Sequence, residues 1–191
     1  MGKLIVTMWI TLDGFVAGPN NEMDWVAAYY DDAMGKYEND LVSAAGTLML
    51  GRVTYESFAG AWPYVPDNPN SSEGEKEYAR KLNSMRKIVY SRTLESADWN
   101  NSTLKREIIP EEIGKMKQEE EKNIVIYGSA SIVQTLMNLG LIDEYQLLVH
   151  PVVLGSGKPL FQNIKERATL KHLITATHPS GVVLLSYQPI Q

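Results

Sequence analysis

Runs of Leu, Ile, Val and Met recur at Leu4–Thr11, Thr47–Leu50, Lys87–Tyr90, Asn123–Tyr127, Glu144–Val153 and Val182–Gln188, and several are apolar at nearly every position. A strand with one wet face alternates polar and apolar residues; a strand that is apolar throughout is covered on both faces. Between these runs lie stretches of helical period, roughly Trp25–Ala44, Arg52–Ala59, Glu73–Asn83, Pro110–Glu121 and Ser131–Leu139. Strand and helix therefore alternate, and an α/β sheet is the expected architecture.

Local punctuation agrees. Pro110 stands where a first helical turn tolerates proline, Glu111 and Glu112 suit the positive helix end, and Gly140 stops the helix of "VQTLMNL". A further strand is expected near Leu170–Thr177, followed by the hairpin turn "HPSG", so the end of the sheet reads as antiparallel. The Pro-, Asn- and Ser-rich "WPYVPDNPNSSEGEKE" reads as a mobile surface loop.

At 191 residues and 44% hydrophobic content, the chain is expected to form one domain spanning residues 1–191. It has no cysteine, which removes disulfides, a thiolate nucleophile and the commonest zinc ligand, and which fits a cytoplasmic protein. The first apolar run stops at Asp13-Gly14, too short to span a membrane, and reads as a strand. A net charge of −5 without a basic block argues against nucleic acid and leaves a small molecule as the expected partner. His150, His172 and His178 lack H-E-x-x-H spacing, so no metal is expected.

The residues that could carry chemistry lie at strand ends. In "NIVIYGSASIVQTLMNLG" an apolar strand ends at Gly128, small residues Ser129, Ala130 and Ser131 follow, and a helix begins. Backbone N–H groups there could approach a phosphate closely, although strand-to-helix turns also use Gly and Ser for geometry alone. In "TLMLGRVTYESF" the strand delivers Gly51, Arg52 and Thr54 to a second helix start, and "IVYSRTL" offers Ser91 and Arg92 at a third strand end. Ligands of open α/β sheets bind at that carboxyl edge.

The order of "TLDGFVAGPNNEMDW", "TLMLGRVTYESF", "KIVYSR", "NIVIYGSASIVQTLM" and "LIDEYQLLVHPVVLGSGKPLF" resembles the dihydrofolate reductase superfamily, closest to the branch of the riboflavin biosynthesis reductase domain. The resemblance covers nearly the whole chain. It implies a three-layer α/β/α fold with a mixed sheet of about eight strands and NADPH across the carboxyl edge. On that model Gly51, Arg52 and Thr54 meet the cofactor phosphates and Ser91 and Arg92 the adenosine 2′-phosphate. Gly128, Ser129, Ala130, Ser131 and Ile132 wrap the pyrophosphate, and Ala17 and Tyr127 approach the nicotinamide.

The implied reaction is hydride transfer to a pteridine-like ring or a ribosylaminopyrimidine, a small heterocyclic substrate, by a protein that is a homodimer as its relatives are. Folate-reducing members place an acid on the helix after the first loop. Matching tryptophan to tryptophan at Trp25 puts Tyr30 in that place, with Asp31 and Asp32 one and two positions on, and each step turns a helix by about 100°. The stripe Val26, Tyr30, Ala33, Tyr37, Leu41 reads as the buried face, leaving both aspartates toward solvent. Asp31, Asp32 and Asp13 are the candidate acids, Asp13 equally well a turn residue; Trp25, Tyr29, Tyr30 and His150 are candidates to line the substrate pocket. The missing acid also keeps open a non-catalytic or regulatory module that binds NADP(H) without turnover.

Overall fold

The computed structural model describes residues 1–190. Strands β1 (Leu4–Thr11) and β2 (Phe15–Ala17) precede helices α1 (Asp24–Ala27) and α2 (Asp32–Ala44). β3 (Ala45–Gly51) and α3 (Arg52–Ala61) come next, then a 3-10 helix at Trp62–Asp67, α4 (Glu73–Ser84), β4 (Arg86–Tyr90) and β5 (Ser102–Lys105). The remainder is α5 (Pro110–Glu119), β6 (Asn123–Tyr127), α6 (Ala130–Asn138), β7 (Glu144–His150), β8 (Lys158–Pro159), β9 (Leu170–Thr177) and β10 (Val183–Pro189).

The main sheet has eight strands in the order β5-β4-β3-β6-β1-β7-β10-β9, and β2 and β8 pair separately. Pairs from β5 to β7 are parallel, while β10 runs antiparallel to both β7 and β9. The near-continuous apolar runs are explained by burial on both faces. Leu4, Val6, Met8, Met49 and Ile126 pack with Ile113 of α5 and Val133 and Leu136 of α6. Ile5, Leu48, Leu50 and Val125 pack with Leu41 and Val42 of α2, Tyr55 of α3 and Leu82 of α4.

The structure departs from the sequence reading in two places. The helical stretch Trp25–Ala44 is broken, because Asp31 adopts an extended conformation (φ −131°, ψ 173°) and its side chain caps α2 by accepting the Met34 N–H. The buried face of α2 consequently carries Met34, Glu38, Leu41 and Val42, while Ala33 is exposed and Tyr30 is 48% exposed. The Pro-rich segment is not loop throughout: Trp62 packs 5.1 Å from the Tyr78 ring and anchors the 3-10 helix, and Ser72 and Glu75 form a capping box that starts α4. Among the described residues no helix is long and apolar enough to cross a membrane.

Candidate functional site

The carboxyl ends of β3 and β6 lie side by side because the strands pair in parallel, with Met49 opposite Ile126. β3 ends at Gly51 and α3 starts at Arg52; β6 ends at Tyr127 and α6 starts at Ala130. Between β6 and α6, Gly128 and Ser129 are both left-handed, with φ of 62° and 63°. The Ser129 hydroxyl accepts the Gly51 N–H at 2.7 Å and stands 3.2 Å from the Thr54 hydroxyl. A Cβ on Gly51 would come within 2.6 Å of Ser129 Oγ, and one on Gly128 within 2.6 Å of Thr54 Oγ1. Two helix starts therefore share a wall of backbone and hydroxyl groups. Their first N–H groups have no preceding turn to bond, so the cradle is electropositive and suits phosphate oxygens.

Tyr90 is the register partner of Gly51, which sets the turn after β4 beside this cradle. The Ser91 hydroxyl accepts the N–H groups of Thr93 and Leu94 and so closes the turn that carries exposed Arg92. Arg52 opens α3 with its guanidinium half-exposed and 3.0 Å from Glu56. Ala130, Ser131 and Ile132 form the first turn of α6, with Ile132 buried against the core.

The first loop is tied down from two sides. Asp13 accepts the Thr11 hydroxyl at 2.6 Å and the N–H groups of Leu154 and Gly155 at 3.2 and 2.8 Å, joining it to the loop after β7. The Thr11 hydroxyl and these amides hold its carboxyl below the usual carboxylate range. Ala17 is buried in β2, paired with Lys158 of β8.

On the α2 side of the sheet, aromatic residues converge on the end of β7. His150 is wholly buried, with ring centroids 4.9 Å from Trp25, 6.2 Å from Tyr29 and 6.5 Å from Trp9. Its Nδ1 lies 2.9 Å from the Leu148 carbonyl, which only a protonated nitrogen can bond, so Nε2 is a bare acceptor. Burial pushes its pKa down and keeps the ring neutral. Neither His150 Nε2 nor Trp25 Nε1 has a partner. Tyr30 stacks edge-on to Trp9 at 6.5 Å.

Asp31 and Asp32 stand apart from these rings in what they bond. Asp31 caps α2 and also accepts the Ser180 N–H at 3.0 Å, while Asp32 lies exposed in the first turn. The carboxyl buried beside these rings is Glu38, which sequence reasoning missed. It is 6% exposed and accepts the Tyr30 hydroxyl at 2.8 Å, with the Tyr127 phenol, itself 3.2 Å from the Tyr78 phenol, close enough to pull on its proton. Burial pushes its pKa up to about 7, against the pull of the two phenols. The signal was available: an acid four residues after Met34 and three before Leu41 shares their buried face once the helix phase is right.

Residues 2–184 match the family model of the RibD C-terminal domain. The chain belongs to the RibD C-terminal domain family. The uncharacterized protein YyaP of Bacillus subtilis (strain 168) is 40% identical over 185 residues, covering 97% of this chain and 94% of its own. The fold of the RibD C-terminal domain recurs in a Shewanella sp. PV-4 protein named for riboflavin biosynthesis, with TM-score 0.75 over 99% of both chains at 19% identity. Dihydrofolate reductase from Enterococcus faecalis, solved with NADP(H) and RAB-propyl, matches with TM-score 0.63 at 15% identity over 100% of this chain and 98% of its own. The dihydrofolate reductase-like α/β fold expected from the sequence is the one observed.

Proposed function

We propose that this protein is an NADPH-dependent reductase of a small heterocyclic substrate, pteridine-like or ribosylaminopyrimidine in type. The observation that carries the reading is the bond from the Gly51 N–H to the Ser129 hydroxyl, which joins two helix starts into one cradle at the carboxyl edge. The donor set fits a dinucleotide: the floor is small or backbone, and Arg52 and Thr54 stand at one helix start and Gly128 to Ile132 at the other. Arg92, exposed on the adjoining turn, favours a 2′-phosphorylated cofactor. When bound, NADPH supplies hydride. The protein's own part is to hold the phosphates, to exclude water with Trp9, Trp25, Tyr29, Tyr30 and His150, and to keep a proton available.

A buried carboxyl bonded by the half-exposed Tyr30, which packs on Trp9, supports turnover over a binding module without chemistry. Homodimer formation is part of the proposal, supported by the exposed edge strand β9 with Ile174 at 55% exposure. The test is loss of NADPH absorbance with dihydrofolate, a dihydropterin or the pyrimidine intermediate of riboflavin synthesis. Oxidation with at least one of them is expected. NADPH binding without oxidation on all three favours the module, and failure to bind NADPH defeats both readings.

A further inference from the structure

Glu38 is a carboxyl where packing alone would select an apolar side chain. It lies on the face of α2 that otherwise buries Met34, Leu41 and Val42, and it has no ion pair among the described residues. A carboxylate there would be costly, so its environment favours the proton-bearing form. The groups facing it are phenols: Tyr30 from the α1–α2 connection, Tyr127 from β6 and Tyr78 from α4, with Tyr37 beside it on α2. The charges around this cluster are Asp31 and Glu75 toward Tyr30, Glu144 toward Tyr37, and Lys81 of α4, whose ammonium is bonded to Asn39 and Ser43 of α2 and pairs with Glu77 rather than with Glu38. Burial and these acids raise the tyrosines too, so the phenols stay neutral.

The phenols differ in access. Tyr127 is buried and Tyr37 partly so, whereas Tyr30 is 48% exposed and packs against Trp9 of β1. Tyr30 is therefore the route by which the Glu38 proton reaches a ligand. A phenol both donates and accepts, so the bond from Tyr30 to Glu38 can reverse when the carboxyl is protonated.

We propose that Tyr30 and Glu38 form a proton-delivery pair, Glu38 storing the proton in the floor of the pocket and the Tyr30 hydroxyl passing it to the substrate. The proposal rests on the reductase reading above. In the step, a polarised double bond in the substrate takes hydride at carbon from the reduced nicotinamide. Its heteroatom end takes the Tyr30 proton, the Glu38 proton moves to the Tyr30 oxygen, and the Glu38 carboxylate is reprotonated from solvent after product leaves. Tyr30 is the catalytic residue and Glu38 acts through it. The class of substrate is thereby narrowed to compounds whose hydride-accepting carbon is bonded to a basic heteroatom.

The test uses the full chain with Glu38→Gln, Tyr30→Phe and the double variant. Each single variant should lose roughly 10²- to 10³-fold in kcat, with no more than about a twofold change in the Kd for NADPH, and the double variant should lose no more than either single one. Wild-type kcat should fall as pH rises through about 7, and Glu38→Gln should lack that fall. Infrared difference spectra of the protein without cofactor should show a buried carboxylic C=O band that titrates near 7 and is absent in Glu38→Gln. Wild type that oxidises NADPH while Glu38→Gln keeps its rate and pH profile overturns the pair and leaves the reductase standing. A Glu38 already ionised well below neutral pH in the infrared overturns the pair without reference to activity. Wild type that does not bind NADPH overturns the reductase reading and the pair with it.

Discussion

The Ser129 hydroxyl accepts the backbone N–H of Gly51 at 2.7 Å across 78 residues of sequence, so one side chain locks together the two turns that open α3 and α6. A Cβ at Gly51 would occupy the space of that hydroxyl. Gly51→Ala should raise the Kd for NADPH about tenfold or more by calorimetry, and Ser129→Ala should destabilise the fold by roughly 1 kcal/mol in urea titration. A Gly51→Ala protein with undiminished affinity would show that the cradle is not where the phosphates lie.

Gly128 combines a φ of 62° with a Cβ position 2.6 Å from Thr54 Oγ1, so backbone strain and a clash act together. Gly128→Ala should cost about 1–3 kcal/mol of stability. Thermal melts of the variant with and without NADPH would check this, with the cofactor-induced rise in Tm expected to shrink.

Replacing Arg92 with Ala should weaken NADPH more than NADH, by about tenfold, because a guanidinium rewards a phosphate and has little to offer a free hydroxyl. Arg52→Ala, at the cradle both cofactors share, should instead weaken NADPH and NADH alike. Equal losses for both cofactors in Arg92→Ala would remove the 2′-phosphate from this turn.

Glu38 ties stability to pH with a definite sign. Its pKa is raised on folding, from 4.5 to about 7, so the native state holds this proton more tightly than the unfolded chain. Its contribution is full below 4.5 and is lost as pH rises through about 7, a swing of at most about 3 kcal/mol. Glu38→Gln carries no such group. Its Tm should therefore gain on that of wild type between pH 5 and pH 8, on the order of several degrees; parallel curves would contradict the burial argument.

Asp31→Ala should lower the melting temperature, since one carboxylate caps α2 and holds the Ser180 amide. Amide exchange at Met34 and Ser180 should accelerate. Loss of turnover without loss of stability would instead give Asp31 a chemical role.

The sheet was readable because its strands are apolar on both faces, a pattern few other architectures produce, and the turn of Gly128 to Ser131 was readable because small residues cluster there. What escaped was phase. Asp31 leaves the helical path to cap α2, and that one extended residue shifts every later position around the helix axis. A continuous helix from Trp25 puts Tyr30 inside and leaves Glu38 unremarked; the broken one buries Glu38 and half exposes Tyr30. β2, β5 and β8, of three, four and two residues, gave no periodic signal because they are too short to carry one. Asp13 could be recognised as a turn residue, but its bonds to Leu154 and Gly155 join loops that only the tertiary structure brings together.

Because the cap of α2 also holds the amide of Ser180, 149 residues away, the helix bearing Glu38 is anchored by the hairpin that leaves the ribosome late. The carboxyl and its phenols all come from the first two thirds of the chain, while the cap that fixes their helix is completed only by the last hairpin, so a change at that distant turn is transmitted to Glu38 through a single carboxylate.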